Sequence, residues 1–325
     1  MRRRAFITLL GGAAVAWPLA ARTQQPATPV VGILNSRSPN DDMTLFAAFR
    51  RGLQEVGFVE GKNIAIEYRW PQRGADEYPA LMVDLVRGGA AVIAAIGDFA
   101  ALAAASTRTA VPVVFVSGID PVEYGIVPSL SRPGGNMTGV TTLNAELVPK
   151  RLELLHEVVP AVGHLAFLVA KGPTAETLSK ELQTAASRLG LRASILQADN
   201  EADLETVFPA VKQMGAGGLV IGTGGLFNRR STRIAELALR HAVPTIYQYH
   251  EFAAAGGLMS YGGSLIESVR LIGLYAGRVL KGEKPAELPV QQSTKVELII
   301  NLKTAKTLGL AMPTTLLGRA DEVIE

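Results

Sequence analysis

The sequence runs through one pattern twice. Ala110-Val111-Pro112-Val113-Val114-Phe115 is echoed by Ala242-Val243-Pro244-Thr245-Ile246-Tyr247, and the helix-stopping Gly57 is echoed by Gly190. The two offsets agree within a residue. Chance likeness among α/β units is the competing reading, but two lobes of one β/α topology explain both anchors at once. Runs such as 91–96 and 111–116 are apolar without polar alternation. That is the mark of strands buried on both faces of a parallel sheet. The alanine-rich run between them suits a crossover helix packed close to that sheet. The fold class is therefore α/β, with two Rossmann-like lobes.

In the first half, strands are expected at 29–34, 63–68, 91–96 and 111–116. Helices are expected around Phe46, Phe49, Leu53 and Val56, over 78–87, and through the alanine run. In the second half, strands are expected at 164–170, 191–196, 218–221 and 242–247, with helices between them. Three extended stretches, 134–140, 256–263 and 290–293, read as connectors between lobes. After the second comes an amphipathic helix with Leu265, Val269, Ile272, Ala276 and Val279 on one stripe. The division that follows is residues 28–140 plus 262–290 for one lobe, and 141–261 plus 291–325 for the other. Three connections imply a hinge, and a cleft that closes is the usual home of a small ligand.

Composition narrows the function. With 325 residues, 48% hydrophobic and 19% charged, the chain can bury two cores. It has no cysteine, which excludes disulfides, thiolate metal sites, cysteine nucleophiles and a lipid-anchored amino-terminal cysteine. Net charge is +3, and beyond Arg2-Arg3-Arg4 no more than two basic residues stand together, as at Arg229-Arg230, so no nucleic-acid partner is expected. Residues 1–27 read as a signal peptide and leader: three arginines, an apolar core from Phe6 to Trp17, then Ala20-Ala21. Arg3-Arg4-Ala5-Phe6-Ile7 loosely fits the twin-arginine route; a buried amino-terminal helix is the alternative. The mature protein is expected in the periplasm.

In open α/β sheets, ligands bind beyond the carboxyl ends of the strands. Gly97-Asp98-Phe99 and the 117–121 loop should lie side by side on that rim. Asp98 either caps its helix or meets the ligand. Asp120 either accepts from a ligand or caps an Asp-Pro turn. Ser117, Asn35 and Ser36 end strands and are candidates for a hydrogen bond to ligand, against the alternative of a purely structural role. Phe99, Tyr247 and Tyr249 are candidates for stacking, against the alternative of core packing. Thr223 is the candidate from the second lobe, with Lys171, His250 and Glu251 weaker. The four histidines show no metal-ligand spacing. Gly222-x-Gly224 lacks the third glycine of a dinucleotide loop, and neither a nucleophile elbow nor a phosphate loop occurs. No metal or cofactor is expected.

Five stretches together resemble one family: 59–69 (Val-Glu-Gly-Lys-Asn-Ile-Ala-Ile-Glu-Tyr-Arg), Asp120-Pro121-Val122, 132–140 (Arg-Pro-Gly-Gly-Asn-Met-Thr-Gly-Val), 280–285 (Leu-Lys-Gly-Glu-Lys-Pro) and 300–306 (Ile-Asn-Leu-Lys-Thr-Ala-Lys). They are similar to the ABC-transporter substrate-binding proteins that include tryptophan- and other amino-acid-binding members. The resemblance runs from about Val30 to Glu325. It implies a type I periplasmic-binding-protein fold with three crossovers, ligand capture by domain closure, and a separate permease and ATPase as partners. Those relatives commonly carry Gly-Thr-Pro-Ala-Ala where this chain has Gly97-Asp98-Phe99-Ala100-Ala101. An aspartate there would repel a ligand carboxylate. The resulting expectation is a non-enzymatic, monomeric binder of a small organic ligand, amino-acid-like or aromatic, serving an ABC importer. The alternatives are a periplasmic sensor for a membrane receptor and a hydrolase using Asp98 and Asp120.

Overall fold

The computed structural model describes residues 28–36, 43–172, 174–293 and 295–325. The expected signal segment, 1–27, lies outside them, as does most of the loop after the first strand. The first lobe opens with β1 (Val30–Asn35), α1 (Met43–Glu55), β2 (Ala65–Arg69), α2 (Tyr78–Arg87), β3 (Val92–Ile96), α3 (Asp98–Thr107), β4 (Val113–Ser117) and β5 (Met137–Thr141). The chain then enters the second lobe through α4 (Val148–Val158), β6 (His164–Ala170), α5 (Ala175–Arg188), β7 (Arg192–Ala198), α6 (Glu201–Gln213) and β8 (Leu219–Ile221). That lobe continues with α7 (Gly225–Arg229), α8 (Ser231–Arg240), β9 (Thr245–Tyr247), α9 (His250–Ala254) and β10 (Met259–Gly263). The remaining elements are α10 (Leu265–Leu280), β11 (Gln291–Gln292), β12 (Val296–Asn301), α11 (Leu302–Thr307), α12 (Thr314–Leu317) and β13 (Glu322–Ile324).

The six-stranded sheet has the order β11-β5-β4-β3-β1-β2, and the seven-stranded sheet β13-β12-β10-β9-β8-β6-β7. Their first five strands are therefore arranged identically, the second strand outside the first and the third, fourth and fifth following on its other side. The internal echo in the sequence is this shared topology. Pairing is parallel throughout except between β10 and β12. Strands β3, β4 and β6 are buried at every position, as continuous apolar runs between helical layers require.

The three stretches read as connectors are strands. β5 pairs with β4, β10 with β9 and β12, and β11 with β5. Gly262 and Gly263 close a strand of the seven-stranded sheet, and Gln291–Gln292 pair within the six-stranded one. The crossovers proper are the short segments that follow. Such short strands without a long apolar run, among them Met137-Thr138-Gly139-Val140-Thr141 and Gln291-Gln292, read from sequence as links between lobes rather than as members of a sheet.

After the second crossover, α10 returns to the first lobe and lies against α1. A Cβ on Gly52 would stand 1.9 Å from the Arg270 carbonyl oxygen, and one on Gly273 2.2 Å from that of Phe49. The helices approach this closely because both positions lack a side chain. Among the described residues, no helix is long and apolar enough to cross a membrane.

Candidate functional site

Each sheet reverses its strand order between its first and third strands, and such switch points open a crevice at the carboxyl ends. In the first lobe, Asn35 and Ser36 end β1, and Gly97-Asp98 follows β3. In the second, Gly172 and Thr174 follow β6, and the 222–225 turn follows β8. These four loops face one another. Arg229 donates from Nη1 to the Ser36 carbonyl oxygen at 2.7 Å. The Thr223 hydroxyl donates to the Asp98 carboxylate, and the Phe99 ring lies against Gly172. The lobes are thus closed on each other over a cavity of about 40 Å³, room for a few water molecules.

Asp98 is the acid of that cavity. It opens α3 but does not cap it: the N-cap is Gly97, at φ 103°, and no side chain caps the helix. The Asp98 carboxylate turns instead to the neighbouring strand end. It accepts from the Gly118 backbone N–H at 2.7 Å and from Ser117 Oγ at 3.3 Å. Burial pushes this carboxyl above its ordinary value, while hydrogen bonds from Gly118, Thr223, Ser117 and Ile119 pull the other way. Tyr249 is displaced upward too, by burial first and then by the nearby Asp98 charge.

Asn35, Ser36, Asp98, Phe99, Thr223 and Tyr249 all line the cavity. Ser117 stands behind it, fully buried, accepting from the Ile119 N–H at 3.2 Å and supporting Asp98. Asp120 is outside the lining. Its Oδ1 accepts from Val122 N at 2.7 Å and Glu123 N at 3.2 Å, so it caps the turn. Asp98 and Asp120 therefore do not converge as the hydrolase reading requires. Tyr247 is also outside the lining. It packs edge-on against Tyr249 and Phe252, with centroids 6.0 and 5.5 Å apart, and its hydroxyl donates to Asn228. Lys171 pairs with Asp203 at 3.0 Å, and His250 meets Glu322 at 3.1 Å; Glu251 borders a small neighbouring pocket beside Tyr249.

Sequence reasoning missed Tyr78, Asn228 and Gln248, all cavity-lining. Tyr78 reads as the first core position of α2, and Asn228 sits on a five-residue helix that has no periodicity to read. Gln248 is only 1% exposed. A glutamine between two tyrosines beyond a strand was its signal. Among the described residues, no group of histidine, aspartate and glutamate is placed to hold a metal ion.

The chain matches the family described as ABC transporter substrate binding protein over residues 41–324. It is 24% identical over 267 residues to a tyrosine-binding protein of Clostridioides difficile, covering 81% of this chain and 75% of that one. A conserved domain protein of Vibrio cholerae superposes with TM-score 0.81 at 23% identity, covering 91% of this chain and 99% of the other. The L-Trp complex of an ABC domain from Streptococcus pneumoniae superposes with TM-score 0.79 at 22% identity, covering 92% and 100%. The doubled α/β architecture of these structures is the one described above, and the matched family is non-enzymatic. With the match spanning both lobes, this chain belongs to the ABC transporter substrate-binding protein family.

Proposed function

We propose that the protein captures a small organic ligand in the interlobe cleft by domain closure and delivers it, in the periplasm, to a membrane permease driven by a separate ATPase. The observation that carries this reading is the meeting of the two rims. Asp98 and Thr223 share a hydrogen bond from opposite lobes, and Arg229 reaches the Ser36 carbonyl from the other side. A ligand seated among these groups contacts both lobes only when they are together. It therefore stabilises the closed state by its differential affinity. The tryptophan and tyrosine named for the relatives support an amino-acid-like or aromatic ligand.

The test is small-angle scattering on the mature protein, before and after addition of a dialysable small-molecule extract. A fall in radius of gyration, reversed by dialysis, is the expected result. No change in either radius or melting temperature with any extract would sink the reading. At about a hundredfold above its Kd, a bound ligand adds roughly 2.7 kcal/mol of stability, readily seen in a melt.

A further inference from the structure

We infer that the ligand presents an amine to Asp98 and Gln248 and carries no free carboxylate. The inference rests on the binding reading above and narrows its ligand class.

Four observations lead there. First, Asp98 is a buried acid on the cavity wall whose protein partners are all neutral: Gly118 N–H, Ser117, Thr223 and Ile119 N–H. A carboxylate offers about four acceptor sites on two oxygens, and a cationic partner is the one it lacks among the described residues. Second, Gln248 is 1% exposed, donates from Nε2 to Asn228 Oδ1 at 3.3 Å, and leaves Oε1 without a partner. A buried acceptor of this kind calls for a donor.

Third, Asn35 accepts at Oδ1 from the Ser36 N–H at 2.7 Å and leaves Nδ2 unpartnered. One neutral acceptor on the ligand, a hydroxyl or carbonyl, answers it. Fourth, among the described residues no lysine, arginine or histidine lines the cavity. Arg229 donates to the Ser36 carbonyl and lines the adjoining pocket, not this cavity. A ligand carboxylate would enter a cavity that already holds one and, among the described residues, meets no lysine, arginine or histidine on its wall.

The experiment uses matched pairs that differ in one carboxylate: ethanolamine against glycine, tyramine against L-tyrosine, tryptamine against L-tryptophan. Binding is read by calorimetry and thermal shift on the mature protein. At least one amine should bind about tenfold or more tightly than its acid, the scale of one charge-assisted hydrogen bond. Asp98→Asn, checked by its own melt for folding, should weaken that amine about tenfold or more and leave the acid no weaker. Tighter binding of the acids overturns the inference, as does no binding by any member of the three pairs. Native mass spectrometry of the protein purified from cells separates the two levels. A retained carboxylic acid overturns this inference and leaves the binding reading standing, whereas failure of the extract test above removes the binding reading itself.

Discussion

The Arg151 guanidinium on α4 donates through Nη2 to the carbonyl oxygen of Asn144, in the first crossover, at 2.5 Å. Its Nη1 donates to the Tyr261 carbonyl oxygen at 3.1 Å, on the strand that leads into the second crossover. One buried cation thus ties two of the three connections together. Asn144 Oδ1 adds to the link by accepting from the Gly263 N–H at 3.4 Å. Burial pushes the guanidinium down to about 10, so it stays charged at neutral pH.

Replacing Arg151 with methionine should therefore destabilise the protein. The apolar stem is kept, but two buried carbonyl oxygens lose their donor, each at roughly 1–3 kcal/mol. Denaturant melts should show a loss of about 2–6 kcal/mol. A loss below 1 kcal/mol would mean that the guanidinium's own desolvation cost cancels its hydrogen bonds.

How much of this was legible in the chain follows from where each signal sits. The α2 boundaries, 78–87, were readable because periodicity and the Gly88-Gly89 stop are local. Asn35 and Asp98 were readable because strand ends next to a switch point follow from topology alone. Tyr247 was not, because β9 is three residues long and the alternation that sorts inward from outward positions ends with it. The Asp98–Thr223 contact joins residues 125 positions apart, in different lobes, and no local pattern encodes it. Asp120 misled for the opposite reason. The N–H groups of Val122 and Glu123 satisfy its carboxylate within three residues of the chain.

The pH dependence of stability carries a sign set by Asp98. Its carboxyl sits above its ordinary value in the folded protein, so the folded state binds this proton more tightly than the unfolded one. Stability from this group is present at acid pH and is lost as pH rises through the folded value. Asp98→Asn removes the buried charge while keeping an acceptor for the Gly118 N–H. Its melting temperature without ligand should exceed the wild type's at neutral pH, and the gap should close below the normal carboxylate value of 3.8. A gap that is constant with pH, or reversed, would show that Asp98 is not ionised at a cost.

The α1–α10 crossing predicts a sharp packing effect. A methyl group at Gly52 would lie 1.9 Å from the Arg270 carbonyl oxygen and 2.7 Å from the Leu274 nitrogen. Backbone cannot rotate out of the way as a side chain can, so the helices must separate. Gly52→Ala should cost about 2–3 kcal/mol, at the upper end for overpacking, although alanine is the better helix former. Urea melts decide it, and a stabilised variant would rule out the close crossing.

The last prediction isolates closure from stability. The three atoms nearest to a Cβ on Gly225 all belong to the other lobe: Ser36 Cβ at 2.6 Å, Ser36 Oγ at 3.1 Å and the Tyr78 hydroxyl at 3.4 Å. Gly225 opens α7, where alanine is well tolerated, so the second lobe itself should fold unchanged. A methyl group there acts as a wedge that is felt only when the lobes meet. Gly225→Ala should melt within about 0.5 kcal/mol of wild type without ligand. It should bind any closing ligand about tenfold or more weakly, since the affinity of a two-state binder falls with the population of its competent state. Scattering should then show a larger radius of gyration at saturating ligand than for wild type. Unchanged affinity would mean that ligand capture does not require Ser36 and Gly225 to touch, and the closing surface would have to be sought among the other loop contacts.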